Sequence, residues 1–117
     1  MEDKYFDKKL KDADVRQKLS VPTSFLQHIK DHVGKPLKVT EFPTGSVYEF
    51  VLATRKEGYM KPVFQSKGWL KFVKDTHLIA GDTIHFWKDD DGQFYIRVTK
   101  DYFARRQLAI QVELGRV

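Results

Sequence analysis

The sequence predicts a mainly β domain, built as a barrel or partly open barrel with two short helices. Short segments of alternating apolar and polar residues recur along the chain, and only two segments space their apolar residues as a helix does. An Asp-Gly pair between two such segments, at Asp91-Gly92, is the usual turn signal of a hairpin. With 117 residues the chain fits one domain, so we predict a single domain over residues 1–117.

The predicted strands account for most of the chain. In order they span residues 5–10, 19–22, 36–42, 47–53, 62–65, 83–88, 94–99 and 108–114. The pair 83–88 and 94–99 forms the hairpin, and 62–65 is expected to be a short edge strand. The segment 108–114 alternates regularly and is predicted as an extra C-terminal strand beyond a core of about residues 5–99.

The first predicted helix runs from about residue 24 to residue 33. Thr23 or Ser24 is a possible cap, Gln27 stands three residues after Ser24 as in a capping box, and Gly34 is suited to end the helix. Its apolar face consists of Phe25, Leu26, Ile29 and Val33.

The second predicted helix begins near Gly68, after a short strand. Its apolar stripe consists of Trp69, Leu70, Phe72 and Val73. We predict that Trp69 and Phe72, together with Phe50 and Phe86 from the strands, belong to the core rather than to a stacking surface. Trp87 and Tyr95 alternate with core residues on the hairpin and are therefore expected on the outer face.

The net charge of +5 is concentrated in two segments. Residues 8–18 contain five basic and two acidic side chains, and residues 54–61 contain three basic and one acidic, so the rest of the chain is neutral. Both segments are predicted to be loops. Two basic loops on a neutral scaffold favour binding to a polyanion, although lysines also serve simply to solvate loops.

Several other classes of function lack support in the sequence. There is no cysteine and no G-x-S-x-G motif, which argues against thiolate metal sites and nucleophilic hydrolases. His28 and His32 have a zinc-compatible spacing without an HExxH arrangement, and the Asp89-Asp90-Asp91-Gly92 turn lacks the pattern of a calcium loop. We therefore expect no enzyme activity, no cofactor, no metal and no small-molecule substrate.

Membrane insertion and secretion are not predicted either. No apolar run approaches the roughly 18 residues of a membrane span. The first residues, Met1-Glu2-Asp3-Lys4-Tyr5-Phe6, contain no apolar signal core.

A series of short motifs resembles the plant B3-type DNA-binding domain. They are, in order, Phe6 to Val15 (FDKKLKDADV), Leu19-Ser20-Val21-Pro22, Gly45 to Phe50 (GSVYEF), Lys67-Gly68-Trp69, Phe72-Val73, Gly81-Asp82 and Phe86. The resemblance covers about residues 5–99. Tyr48 stands where that family usually has tryptophan, so the chain looks like a divergent member, not one of the auxin-response-factor type.

The resemblance implies a seven-stranded open β-barrel (pseudobarrel) with two short α-helices. It also implies binding of double-stranded DNA in the major groove, in the nucleus, by a plant transcriptional regulator. In this family two arms enter the groove, and they correspond to residues 11–18 (the first arm) and residues 54–61 (the second arm). Both arms depart from the family's usual composition, which puts base reading in question more than binding.

The candidate DNA-binding residues lie in and beside these arms. They are Lys8, Lys9, Lys11, Arg16, Gln17, Lys18, Thr54, Arg55, Lys56, Tyr59 and Lys61. The lysines are candidate phosphate contacts. The arginines suit guanine edges, Gln17 suits adenine, and Tyr59 suits a sugar or a thymine methyl group.

Two alternatives remain open from the sequence. The barrel could be a protein-interaction or dimerisation module with reduced or non-specific DNA binding, using the outer Trp87 and Tyr95 face or the last strand for another protein or a second copy. It could also be the effector domain of a restriction endonuclease, which shares the barrel, although the Lys-Gly-Trp, Phe-Val and Gly-Asp order favours the plant family.

Overall fold

A computed structural model describes residues 4–54, 61–103, 105–107 and 110. Seven strands form one sheet that curls into an open half-barrel with few short helices, which confirms the predicted fold class. The strands are β1 (Tyr5–Lys9), β2 (Leu19–Ser20), β3 (Pro36–Glu41), β4 (Val47–Ala53), β5 (Val63–Phe64), β6 (Thr83–Lys88) and β7 (Phe94–Thr99).

The strand order across the sheet is β1-β6-β7-β3-β4-β5-β2. All neighbours are antiparallel except β3 and β7, which are parallel. The hairpin of β6 and β7 is confirmed, with Trp87 opposite Tyr95. The prediction that residues 62–65 form an edge strand was wrong, because β5 pairs with β4 on one side and with β2 on the other. Its Pro62 precedes the ladder and so does not interrupt it.

The first predicted helix is divided into three short pieces. A 3-10 turn (Thr23–Phe25) leads into α2 (Leu26–Ile29), and a second 3-10 turn (Lys30–His32) follows. The expected capping box does not start the segment, since the Phe25 N–H bonds to the Pro22 carbonyl in 3-10 fashion. Burial of Phe25 and Ile29 holds the segment against the sheet, so regular α geometry is not required throughout.

Gly34 ends this segment in the left-handed conformation, with φ of 80°. Its N–H donates to the Leu52 carbonyl at 2.9 Å, which ties the end of the segment to β4. A residue with a Cβ is strained at this φ, so the predicted role of Gly34 as a terminator has a direct physical basis.

The core lies between the concave face of the sheet and the helix α3 (Ser66–Thr76). The predicted core side chains Trp69, Phe72, Phe50 and Phe86 are fully buried. Edge-to-face contacts link Phe50 to both Trp69 and Phe72, with ring centroids 5.9 Å apart in each case. This aromatic packing fixes α3 against β4, and α3 in turn carries residues that position the first arm.

The predicted C-terminal strand is wrong where it can be compared with the structure. Of residues 108–114 only Ile110 is described, and it is helical and 43% exposed. Residues 102–103 and 105–107 are helical as well. Alternation predicts a strand only when a sheet is available to bury one face, and Ile110 is not buried against one; the other residues of that segment lie outside the described ones.

Candidate nucleic-acid interface

The two arms join the sheet on either side of one short ladder. The first arm leads into β2 and the second into β5, and these strands pair through Leu19 with Phe64 and Ser20 with Val63. Beyond the ladder, the Val21 N–H donates to the Pro62 carbonyl at 2.9 Å. The arms therefore leave opposite ends of a ladder only roughly 10 Å long, at about 3.3 Å per residue.

The first arm is not the loop that the sequence predicted. It contains one turn of helix, α1 (Asp12–Arg16), which follows β1 directly after Leu10 and Lys11. The Asp14 carboxylate accepts the Lys11 N–H at 2.8 Å, and this bond starts the turn. A polar segment with aspartate at its third position can cap its own helix start, and the loop prediction did not take this into account.

Asp14 also connects the first arm to the core. Its side chain is only 7% exposed, and its carboxylate pairs with the Lys8 ammonium at 3.0 Å. Its main-chain carbonyl accepts the indole N–H of Trp69 at 2.6 Å. One residue thus links β1, the first arm and α3.

Lys8 also bonds across the open side of the half-barrel. Besides pairing with Asp14, its ammonium donates to the Ser20 carbonyl at 2.9 Å. Lys8 belongs to β1 and Ser20 to β2, the strands at the two ends of the sheet order. The candidate phosphate contact Lys8 is therefore turned toward the protein and half-buried.

The other candidates of the first arm face solvent. Lys9, Lys11, Arg16, Gln17 and Lys18 are all exposed. Arg16 pairs with Asp12 one helical turn earlier at 3.0 Å, and both side chains are more than two-thirds exposed, at 74% and 68%. Such a solvent-exposed pair is weak, so the guanidinium can exchange Asp12 for another acceptor at little cost.

The second arm is described only at its ends. Thr54 follows β4 and is half-buried, and Lys61 precedes β5 and is exposed. The candidates Arg55, Lys56 and Tyr59 lie outside the described residues. The structure therefore brings the exposed cations of the first arm and Lys61 to one short ladder.

A second buried acid, Asp82, lies beside Leu10 where the first arm begins, and it was not predicted from the sequence. The main chain of Leu10 exchanges two bonds with the turn before β6: its N–H donates to the Asp82 carbonyl at 2.8 Å and its carbonyl accepts the Gly81 N–H at 2.9 Å. The Asp82 side chain is fully buried. Gly81-Asp82 was considered only as one of the family-like motifs, although aspartate side chains in turns commonly accept main-chain N–H groups.

Asp82 fastens the segment that follows β7. Its carboxylate forms an ion pair with Arg105 and accepts the N–H groups of Asp101 at 2.8 Å and Ile79 at 3.0 Å. Burial on its own would raise the pKa of Asp82, but these hydrogen bonds outweigh it and hold the pKa below its usual value. Arg105 also donates to the His77 carbonyl at 2.9 Å, just past the end of α3.

Gly68 explains why a glycine precedes Trp69. A Cβ at this position would lie 1.8 Å from the Glu49 carbonyl oxygen of β4. Only glycine lets α3 approach β4 this closely, and the approach delivers the Trp69 indole to the first arm.

The outer face of the hairpin carries an aromatic cluster. As predicted, Trp87 and Tyr95 lie on this face, and their rings stack with centroids 5.5 Å apart. Phe42 meets Trp87 edge-to-face, and Phe42 and Tyr5 are 54% and 55% exposed. A groove of about 710 Å³ runs beside Tyr5, Phe42 and Trp87.

The His, Asp and Glu side chains of the described residues are the candidates for metal binding. Among them, no group of three or more His, Cys, Asp or Glu side chains is placed to hold a metal ion. His28 packs beside Phe25, whereas His32 meets Phe94, so the two histidines contact different aromatic rings. No helix in the described part of the chain has the length and apolarity to cross a membrane.

The family model of the B3 DNA binding domain matches residues 6–101. The chain belongs to the B3 DNA binding domain family. The match covers β1 to β7, both arms and the turn that contains Asp82. No curated protein sequence matched the chain.

Three solved structures have a similar fold. The Arabidopsis FUS3-DNA complex is 20% identical, with a TM-score of 0.69, covering 81% of this chain and 95% of that one. The Arabidopsis thaliana transcription factor LEC2-DNA complex is 16% identical, with a TM-score of 0.66, covering 84% and 96%. A hypothetical Arabidopsis thaliana protein is 24% identical, with a TM-score of 0.64, covering 85% and 95%.

Proposed function

We propose that this B3 domain binds double-stranded DNA in the major groove through its two arms and acts as a plant transcriptional regulator in the nucleus. The observation that carries the proposal is the arrangement of the arms, which leave opposite ends of the short β2–β5 ladder with exposed cations beside it. The ladder between their points of attachment, roughly 10 Å long, is comparable with the ~12 Å width of the major groove. The FUS3 and LEC2 domains of the same fold were solved with DNA, which supports the same partner here.

Lysines at the margin of the arms are assigned to the phosphates. Lys9, Lys11, Lys18 and Lys61 are exposed on flexible side chains, and Lys56 is added from the sequence. Each phosphate that they neutralise releases condensed counterions, which makes binding strongly dependent on salt. Thr54, at the start of the second arm, adds a hydroxyl that can bond to a phosphate.

Planar and amide side chains in the arms are assigned to the bases. Arg16 reaches solvent from α1 and can grip O6 and N7 of a guanine, and Gln17 beside it can pair with an adenine. Arg55 and Tyr59 take corresponding roles in the second arm. No chemical step is required of any of these residues, since binding alone is the function of the domain.

The test is selection of duplexes from a randomised library at two salt concentrations. With about five phosphate contacts, affinity should fall about 10²–10³-fold between 50 mM and 200 mM salt. Arg16→Ala or Arg55→Ala should cost about 1–3 kcal/mol at one base position of the enriched motif. An equal loss on every sequence would reassign the arginine to a phosphate, and no binding at low salt would refute the proposal.

A matched pair of lysine variants tests where the DNA lies. Lys61→Gln should weaken binding and lower the salt slope by about 0.9. Lys38→Gln removes the same charge from the middle of β3, where Lys38 stands opposite Glu49, and should change the slope little. Equal effects would mean that binding follows net charge rather than the arms.

A second candidate function is favoured by the aromatic cluster on the outer face. Tyr5, Phe42 and Trp87 border an open groove, and Tyr5 and Phe42 leave large apolar surfaces in water, as protein contact sites do. A protein partner or a second copy bound there would be held by apolar contact. Such binding should weaken little with salt, and Trp87→Ala should abolish it without altering the affinity for DNA.

A further inference from the structure

We infer that Asp14 and Lys8 form a positioning unit that holds the first arm in its DNA-binding conformation, although neither side chain contacts DNA. The inference rests on the proposed function and deepens it. Asp14 is an acid inside a segment proposed to meet a polyanion, where a negative charge should oppose binding. Its contacts with Lys8, Lys11 and Trp69, however, hold that segment in shape.

The contacts of Asp14 account for its presence in a basic segment. Its carboxylate has two oxygens with separate partners, the Lys8 ammonium at 3.0 Å and the Lys11 N–H at 2.8 Å. The main-chain carbonyl of Asp14 receives the Trp69 indole N–H at 2.6 Å. With 5% of its surface exposed, Asp14 cannot be reached by a phosphate without unfolding the turn.

Lys8 completes the unit from the sheet side. Its ammonium is bonded to the Asp14 carboxylate and to the Ser20 carbonyl, so two of its three N–H donors are used within the protein. Asp14 begins the turn that presents Arg16, and Ser20 lies just after the arm. Lys8 therefore holds the arm at Asp14, in its middle, and at Ser20, just beyond its end.

The ion pair leaves the charge of the arm available to a ligand. Lys8 and Asp14 cancel each other, while the remaining exposed basic residues outnumber Asp12, their only acidic neighbour within residues 8–18. Charge alone therefore predicts that neutralising either aspartate strengthens binding to DNA. If Asp14 instead acts by positioning the arm, neutralising Asp14 weakens binding, whereas neutralising Asp12 does not.

The decisive experiment compares Asp14→Asn with Asp12→Asn. Both remove one negative charge from α1, but Asp12 is two-thirds exposed and pairs only across the surface with Arg16. We expect Asp14→Asn to weaken binding to the selected duplex about tenfold, equivalent to about 1.4 kcal/mol, whereas Asp12→Asn binds as tightly as the unaltered chain or more tightly. Tighter binding by Asp14→Asn would overturn the inference.

The lysines supply a second matched pair. Lys8→Gln should weaken binding without changing its salt slope, because Lys8 releases no counterion from DNA. Lys9→Gln, at the neighbouring exposed position, should weaken binding and reduce the slope. Lys8→Arg keeps the cation and should recover part of the affinity. A reduced slope for Lys8→Gln would instead make Lys8 a phosphate contact.

Two readouts separate positioning from loss of fold. The ratio of affinities for the selected duplex and a scrambled one is independent of the folded fraction, since unfolding lowers both equally. Asp14→Asn should reduce this ratio. Without DNA, the same variant should shift the Trp69 indole N–H resonance and speed hydrogen exchange at Lys11, because the turn that connects them is loosened.

The outcomes also distinguish this inference from the proposed function. If the unaltered chain binds DNA and Asp14→Asn loosens the turn without weakening binding, the inference fails and the proposed function stands. If the unaltered chain binds no duplex at low salt, both fail. If the unaltered chain binds every duplex equally, no ratio of affinities can be formed. The affinity is then corrected for the folded fraction measured by thermal unfolding, and Asp14→Asn must still weaken binding while Asp12→Asn must not.

Discussion

Asp14 and Asp82 are the two charged residues that are buried in the described part of the chain, and they do different work. Asp14 holds the first arm through one ammonium, one main-chain N–H and its own carbonyl. Asp82 holds the segment after β7 through the Arg105 guanidinium and the Asp101 N–H, and it also accepts the N–H of Ile79, between α3 and β6. Both replace lost hydration with bonds, as a buried carboxylate must.

The difference lies in the cation and in what is held. A guanidinium can bind both oxygens of one carboxylate, and Arg105 does so, with one of the bonds at 2.6 Å. The lysine at Asp14 makes a single point contact and shares its charge with the Ser20 carbonyl. We therefore expect the Asp82 contacts to contribute more to the stability of the fold than the single Lys8–Asp14 contact does.

The largest loss of stability is expected at Gly68, whose lack of a side chain lets α3 bring Trp69 to Asp14. Gly68→Ala places a Cβ 1.8 Å from main-chain oxygen, which cannot move as a side chain would, so we expect a loss of about 3 kcal/mol or more in the free energy of unfolding. Urea denaturation measures it. The control is Gly45→Ala, where nothing lies within 4 Å but φ is 81°, at a cost of about 1 kcal/mol. Equal losses would mean that α3 can shift freely.

Arg105→Met removes the partner of Asp82 and leaves a buried carboxylate without its cation. We expect the free energy of unfolding to fall by about 3 kcal/mol, because the two remaining N–H donors compensate only in part. Chemical denaturation checks this value. Affinity for DNA, measured on folded protein, should change little, unlike in Asp14→Asn. A larger loss of affinity than of stability would show that the two buried acids are not separate in function.

Acid titration tests the Asp82 unit without mutation. Because the folded-state pKa of Asp82 is lowered, its ionised form stabilises the fold above the unfolded pKa of about 3.9, and this contribution is lost as pH falls through the folded value. Thermal unfolding between pH 6 and pH 2 should therefore show stability falling below about pH 4. The gap between the unaltered chain and Arg105→Met should narrow over the same range, and a constant gap would contradict the assignment.

Trp69→Phe tests how much the hydrogen bond from Trp69 to Asp14 contributes to stability and to DNA binding. It removes the indole N–H that bonds to the Asp14 carbonyl but keeps an aromatic ring in the core. We expect about 1–2 kcal/mol of lost stability from the lost bond and the smaller ring. Affinity for DNA should fall less than in Asp14→Asn, since the carboxylate contacts remain. Denaturation and duplex titration on the same samples give both numbers.

The sequence predicted the sheet well because alternation and turn residues act locally. Val47 to Ala53 was predicted with the bounds that the structure shows, since the pattern of one strand needs no knowledge of its neighbours. The position of β5 inside the sheet was missed, because strand order depends on pairings between distant segments. The strand expected at Ile110 failed for the same reason.

Composition indicated which residues are candidates for DNA contact, but not how they are placed. Lys9, Lys11 and Lys18 are exposed, as phosphate contacts must be, and their contact with DNA stays a prediction. The half-buried Lys8 was grouped with them, because a one-dimensional pattern does not distinguish a lysine facing solvent from one facing a carboxylate six residues later. Asp14 and Asp82 were overlooked as organisers, since an acid reveals this role only through its bonds.

The pairing of β1 with β6 has a consequence for the order in which the chain assembles. Tyr5 lies opposite Trp87, and Leu10 bonds to the turn at Gly81 and Asp82. Residues 5–10 therefore cannot make these contacts until residues 81–87 are present. During synthesis from the N-terminus, the first arm leaves the ribosome before Trp69, which bonds to Asp14, and before β6, which pairs with β1. Contacts so far apart in sequence form slowly. The first arm therefore gains its shape only when the domain is almost complete, and a nascent or truncated chain presents its basic residues without their final geometry.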